Sequence, residues 1–346
     1  MEKFLNKMTI AIGIVLVILS LILLGYLGFL TIYEYKPNQF LYITTENNQN
    51  EVVPLETPLT ITTLNLGFGA YEPEFSYFFE DGEMTQAKNL DTIIDNLSMS
   101  LDAVLGTRPD IVLVQEVDSR ATRSHYTSQI SMIDRVLSSH SSSYTPIFVQ
   151  KWLAYPFDDM HGITNSGTLT LTSHYISESL RVALPSSEVS WPMNIVSSVD
   201  PALTIHRMPT EGDRELVVIH LHLLDYSGGV DRTLFIQMLE VLEEIIMEEY
   251  SMKGNYVIVG GDFGYILENI VTDEEVSNHT ANKLLDLYEF KWLIDTSKPT
   301  TVIDDKFYIT SGFLVSRNVD VYSIKTIDTG LEFSKGNPVS MTFELD

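Results

Sequence analysis

Cysteine is absent from the 346-residue chain, which excludes disulfide bonds, thiolate metal sites and a cysteine nucleophile and leaves the redox compartment undecided. Basic residues are scarce: 21 Lys and Arg stand against 47 Asp and Glu, a net charge of −26 spread along the chain rather than gathered in a tail. Nonspecific binding to nucleic acid draws most of its free energy from Lys and Arg neutralising phosphates, so a general DNA or RNA binder is not expected, although a pocket holding a few Arg residues is still allowed. No internal repeat or low-complexity segment is present. Hydrophobic residues at 45% and charged residues at 20% suffice for a sizeable folded core.

Charge is also missing locally. From Met8 to Tyr33 the chain runs 26 residues without a charged side chain, more than the roughly 20 a helix needs to cross the hydrocarbon core. A cleavable signal peptide would have an apolar stretch of about 7–15 residues ending at a small-residue site, and neither is found. Lys3 and Lys7 precede the run, while Glu34 and Lys36 follow it. The positive-inside bias then puts residues 1–7 in the cytoplasm, a single transmembrane helix at 8–33 in the cell membrane, and the large C-terminal domain on the extracytoplasmic side. Residues 34–57, with KPNQF and TTENNQNE, read as a polar tether. Residues 58–346 read as one domain.

Within that domain β-branched runs alternate with helical stretches. Strands are expected at LTITTLNLG, PDIVLVQEVD, GTLTLTS, ELVVIHLHL, NYVIVGGDF, FYITSGFLVS and VSMTFEL. A helix is expected over 85–107 with Ile93, Ile94, Leu97, Leu101, Val104 and Leu105 on one face, and another from Arg232 to about Tyr250. This mixture points to an α/β fold, a two-sheet α/β/β/α sandwich preceded by one N-terminal transmembrane helix.

Polar residues close four of these strands: Asn65 in TLNLGFGAY, Glu116 in PDIVLVQEVD, His222 in HLHL and Asp262 in GGDF. Their order resembles the endonuclease/exonuclease/phosphatase superfamily, and RATRSHY, YPFDDMHGITNSGTLTLTSHY, IHRMP and YSGG resemble a membrane-anchored bacterial branch of it. The resemblance runs from about Leu59 to Leu345. It implies that the strand ends meet at one cleft, with Asn65 and Glu116 holding a divalent metal, His222 contacting the scissile phosphate and Asp262 positioning the attacking water. Phosphate-ester hydrolysis needs charge neutralisation and a positioned water, and a hard cation such as Mg²⁺ takes the oxygen ligands that Glu and Asn supply.

The chain departs from that pattern at four places. Gly264 stands where the family has an asparagine after Gly-Asp-Phe, Ser311 where it has an aspartate before Gly-Phe, and Lys335 and Gly336 where it has an aspartate and a histidine. General acid–base catalysis contributes about 10²–10⁴-fold, roughly 3–5 kcal/mol of barrier, and glycine cannot supply it. A lysine ammonium beside a would-be cation site repels the metal. Arg123, Tyr155, His161, Asn165 and Arg207 remain as candidate ligand contacts, with Arg123 and Arg207 equally able to be ion-pair residues in so acidic a chain.

His220 and His222 point the same way on a strand, which suggests a metal pair or one cleft histidine beside a structural neighbour; no third ligand at useful spacing accompanies them. The expected function is a membrane-tethered pseudoenzyme that needs no cofactor and binds a phosphorylated or polar ligand, or a partner protein. The alternatives are an active phosphodiesterase or phosphatase using Mg²⁺ or Mn²⁺, and a structural component of a membrane complex. Lys335 in this reading is either a built-in cation near Glu116 or a solvent-facing loop residue.

Overall fold

Two uninterrupted apolar runs, IVLV at 111–114 and YVIV at 256–259, have no polar face to offer water, so each becomes an interior strand of a seven-stranded sheet. The computed structural model describes residues 1–80, 82–186, 190–196, 199–223, 232–264, 267, 289–303 and 306–346. The chain begins with helix α1 (Glu2–Ile32) and continues through β1 (Phe40–Tyr42), β2 (Thr45–Glu46), β3 (Leu59–Asn65), α2 (Leu90–Leu105) and β4 (Ile111–Asp118). Then come α3 (Gln129–Val136), β5 (Ser141–Leu153), β6 (Gly162–Thr172), β7 (Glu178–Ala183), β8 (Ala202–Pro209), β9 (Glu215–His222) and α4 (Arg232–Met247). The C-terminal part holds β10 (Tyr256–Asp262), β11 (Phe290–Leu293), β12 (Thr301–Ile303), β13 (Lys306–Tyr308), β14 (Ser311–Ser316), β15 (Val319–Thr326) and β16 (Val339–Leu345).

One sheet has the order β1-β7-β8-β9-β10-β14-β11 and the other β15-β16-β3-β4-β6-β5-β2, with β12 and β13 as a separate ribbon. Each large sheet contains one parallel pair, β9 with β10 and β3 with β4. Alternation along the strands builds three cores at once. Ile111 and Leu113 point between the sheets toward Val218, Ile258 and Phe313, while Val112 and Val114 point outward to Leu97, Leu101 and Val104 of α2 and Ile133 of α3. On the other flank Val217, Ile219, Val257 and Val259 take Phe235, Met238, Leu239 and Leu242 of α4. The result is the α/β/β/α sandwich.

Local signals set the boundaries. α2 starts at Leu90 rather than Thr85 because the Asn89 side chain accepts from the Thr92 N–H at 2.9 Å and caps the helix. Ile94, expected on its inner face, is 39% exposed. The single strand expected over FYITSGFLVS is two, β13 and β14.

α1 is long and apolar enough to cross a membrane or to act as a signal sequence. It extends back to Glu2, beyond the uncharged run. The polar tether expected over 34–57 is instead woven into both sheets: β1 pairs with β7, β2 with β5, and Val53 bridges to Thr210. Sheet edges that would otherwise expose unpaired N–H and C=O groups recruit this segment despite its polar composition. The end of α1 also touches the domain, where Ala154 N–H donates to the Tyr26 hydroxyl and that hydroxyl donates to Trp152 O, both at 2.9 Å.

Candidate active site

The two parallel pairs end on the same side of the sandwich, which brings the polar strand termini together. Asn65 at the end of β3 donates through Nδ2 to Asp262 Oδ2 at the end of β10 at 2.9 Å and to Glu116 Oε1 at 3.3 Å, and lies 3.4 Å from His222 Nε2 at the end of β9. Gly67 N–H needs an acceptor and takes Asn65 Oδ1 at 3.1 Å, which fixes the orientation of the amide. Glu116 sits at an irregularity between Val114 and Val117 of β4 with φ of 53°, a left-handed conformation rare outside glycine. Such bulges re-aim side chains beside functional clefts, and the strain costs about 1–3 kcal/mol.

Lys335 lies in the loop between β15 and β16, which is pinned where Gly336 N–H donates to Asn65 O at 3.0 Å and Thr301 Oγ1 donates to Lys335 O at 3.3 Å. Its ammonium donates to Glu116 Oε1 at 2.8 Å and to Glu80 Oε1, and stands 5.2 Å from the centre of the Tyr71 ring. Tyr71 in turn donates its hydroxyl to Glu80 Oε2 at 2.5 Å. The lysine therefore enters the cleft, and Tyr71 and Glu80 close over it.

Burial alone would raise the Glu116 pKa, but Lys335, and then His222, outweigh it and hold the carboxyl below the usual range. Burial lowers the Lys335 pKa, and Glu116 and Glu80 more than reverse this, leaving it well above the ordinary lysine value. His222 is lowered, by burial first, against the opposing pull of Glu116 and Asp262. At neutral pH the cluster holds a charged lysine, an ionised Glu116 and a neutral imidazole.

These residues do not fit a hard divalent cation. Glu116 Oε1 already accepts from an ammonium and an amide and the Asn65 oxygen is turned to Gly67, which leaves Glu116 Oε2 as the one unengaged oxygen of the pair where a hard cation takes about six. Among the described residues no three His, Asp or Glu side chains are grouped closely enough to hold a metal. Gly264 has φ of 60° and donates its N–H to Asp262 Oδ1 at 2.9 Å, so it contributes a turn and no side chain. Ser311 pairs with Asp262 across the sheet and donates its N–H to Thr300 Oγ1 at 3.1 Å.

Most of the expected ligand contacts do not gather at this cluster, although the charge of Arg123 reaches it and helps to hold the Glu116 pKa down. Arg123 is fully buried, forked onto Asp118 at 2.9 and 3.1 Å, bonded to the Tyr77 hydroxyl at 3.0 Å and stacked 3.6 Å over the Phe68 ring. His161 Nε2 lies 2.7 Å from the same Tyr77 hydroxyl, and burial lowers its pKa to about 3. Both side chains therefore build an aromatic cluster behind the cleft. Arg207 sits opposite Val217, near the start of β9 and far from its His222 end, and is forked onto Glu249 at 2.6 and 2.7 Å. Asn165 accepts from the Tyr144 hydroxyl at 3.3 Å, and Tyr155 is half exposed on the β5–β6 hairpin. His220 is held between the sheets, with Gln115 Nε2 and Thr170 Oγ1 at 2.6 and 2.8 Å. Tyr71 and Glu80 were not anticipated. They fall in the acidic, aromatic stretch after Asn65, which has no periodicity to mark them.

Solved structures share this architecture. An endonuclease/exonuclease/phosphatase protein from Beutenbergia cavernae aligns with a TM-score of 0.57 at 15% identity, over 83% of this chain and 72% of that one. The human Nocturnin catalytic domain aligns at 0.53 and 13%, over 88% and 97% of the two chains. A mannosyl-6-phosphatase from Bacteroides thetaiotaomicron aligns at 0.52 and 13%, over 82% and 99%. Neither a family model nor a curated protein matches the sequence. The chain has the endonuclease/exonuclease/phosphatase fold, the fold of phosphoesterases.

Proposed function

We propose that this chain is a membrane-anchored pseudoenzyme of the phosphoesterase fold, with α1 in the cell membrane, the domain outside, and the former catalytic cleft used for binding. The observation that carries this reading is the Lys335 ammonium 2.8 Å from Glu116, a fixed cation where hydrolysis would need a metal. No side chain at Gly264 or Gly336 replaces the missing acid, base or water-positioning group. Losing cooperating groups together reduces turnover to near background.

Glu80, Glu116 and Asp262 outnumber Lys335, so the cleft favours a polar ligand or a partner protein over a phosphorylated one. Buried Glu116 Oε2 has no hydrogen-bond partner among the described residues and offers an acceptor to such a donor. The test uses the full chain in detergent with bis-p-nitrophenyl phosphate and Mg²⁺ or Mn²⁺, alongside Glu116→Ala. Equal, background rates are expected. Robust turnover abolished by Glu116→Ala would overturn this reading and restore a metal-dependent phosphodiesterase.

A further inference from the structure

The β5–β6 hairpin does more than close a sheet edge. Its tip carries Trp152, Tyr155, Phe157 and Met160, exposed by 39%, 51%, 80% and 38%, and Trp191 adds another ring at 57%. A soluble surface rarely gathers large apolar side chains in this way without a partner. The same elements are bonded to the end of α1: the hairpin backbone at Trp152 and Ala154 holds the Tyr26 hydroxyl at 2.9 Å, and Trp191 Nε1 donates to Thr31 Oγ1 at 3.1 Å. Asn194 extends the contact to Glu34 at 3.2 Å, and Leu30 between them is buried.

Depth along the helix decides what covers this patch. With Lys7 at one boundary, about 20 helical residues cross the hydrocarbon and reach the other near Leu27. Tyr26 therefore lies at that boundary, the level at which Tyr and Trp partition into membranes. The hairpin backbone sits at the same level, about 10 Å along the helix axis before Tyr33 at 1.5 Å per residue. We propose that the hairpin tip and Trp191 form a membrane-docking surface, seated in the headgroup region of the bilayer that α1 enters, so that the domain lies on the membrane. This rests on the reading of α1 as a membrane span.

The chemistry of the patch is apolar. Asp159, though exposed, is bonded to Thr85 Oγ1 and Gln86 Nε2 at 2.6 and 3.1 Å, and the other exposed charges of the hairpin, Lys151 and Asp158, are of opposite sign. With a net charge of −26 on the chain, anionic lipid gives no attraction, and docking rests on buried aromatic area.

A cysteine-free chain permits a direct test. Phe157→Cys, Tyr155→Cys, Ile18→Cys in mid-helix and Tyr322→Cys on the far edge strand are each labelled with NBD. The full chain is then placed in phosphatidylcholine vesicles containing doxyl-labelled lipid. Quenching at 155 and 157 at least threefold stronger than at 322, and unchanged in high salt, is expected. Quenching at 18 with 155 and 157 as unquenched as 322 would overturn the docking surface while leaving the anchor intact. Absence of quenching at 18 would remove the anchor and this inference with it. Docking that salt abolishes would also overturn the apolar mechanism.

Discussion

Replacing Lys335 with methionine keeps the unbranched stem of the side chain out to Cε and removes its charged end. Glu116 is only 1% exposed and its Oε1 takes the ammonium at 2.8 Å, so Lys335→Met leaves a buried carboxylate without its principal counter-charge. Removing one partner of a buried ion pair costs about 3–5 kcal/mol. Asn65 Nδ2 at 3.3 Å and His222 Nε2 at 3.6 Å remain beside the carboxylate, which places the expected loss near the lower limit. The lysine contact with Glu80 involves side chains 21% and 27% exposed, and its loss adds only about 0.5 kcal/mol.

A total near 3 kcal/mol corresponds to a fall in melting temperature of roughly 5 °C for a domain of this size, at an unfolding entropy of about 2.1 cal/mol/K per residue. Thermal unfolding of the full chain in detergent, followed by circular dichroism, reads it. The pH dependence carries the sign. In the parent protein the Glu116 pKa is depressed, so its stabilisation is present above the unfolded value of 4.5 and is lost as pH falls through the folded one. In the variant, burial acts unopposed by the lysine, the carboxyl pKa rises, and protonation relieves the unpaired charge. The gap between the two proteins must therefore narrow as pH falls from 7 to 4. A loss below about 1 kcal/mol, or a gap that widens in acid, refutes the idea that Lys335 neutralises Glu116.

Lys335→Asp should create divalent-metal affinity measurable by Mn²⁺ titration, since it exchanges the ammonium for a fourth carboxylate near Glu80, Glu116 and Asp262, without restoring turnover. Arg207→Ala should lower stability by about 3 kcal/mol with no change in that titration, because its partners Glu249, Glu178 and Glu215 lie away from the cleft. Burial holds His161 and His206 near a pKa of about 3 against an unfolded 6.5, so the stability they contribute is present above pH 6.5 and is lost progressively toward pH 3; His161→Gln should flatten the slope of melting temperature against pH. Protease added to intact cells should digest the domain, and full protection until lysis would reverse the orientation of the anchor.

How far the sequence reveals these features depends on whether a residue's role is set locally. β4 and β10 are visible as apolar runs; Asn65, His222 and Asp262 stand out as polar residues that end buried strands, and Glu116 as a charged residue following the apolar run of β4. β5 is not visible. It opens SSSYTP, and its Thr145 faces the other sheet to accept from Thr204 Oγ1 at 2.8 Å, a polar cross-sheet contact that imitates an exposed strand in composition. β1 and β2 are equally hidden, because their pairing is provided by edges built from residues far away in the chain. Arg207 belongs to the same class of difficulty. Only the register of β8 on β9 shows that it lies away from the strand ends.

On the function proposed above, the cleft changes its chemistry without losing its frame because the two are separate physically. The three large cores place their apolar weight between and outside the sheets, and Asn65, Glu116, His222, Asp262 and Lys335 belong to none of them. Substitution at Gly264, Ser311, Lys335 and Gly336 therefore removes no core contact. The retained groups are held by their own polar demands: Asp262 accepts from Asn65 and Gly264, Asn65 ties one sheet to the other, and Glu116 requires a cation as long as it stays buried and ionised. A metal or a lysine meets that last requirement equally well for folding, and only the metal leaves coordination open for a substrate oxygen and a water. Lys335 thus balances the charge of the buried Glu116 carboxylate, and on the function proposed above it stands where hydrolysis would need a metal.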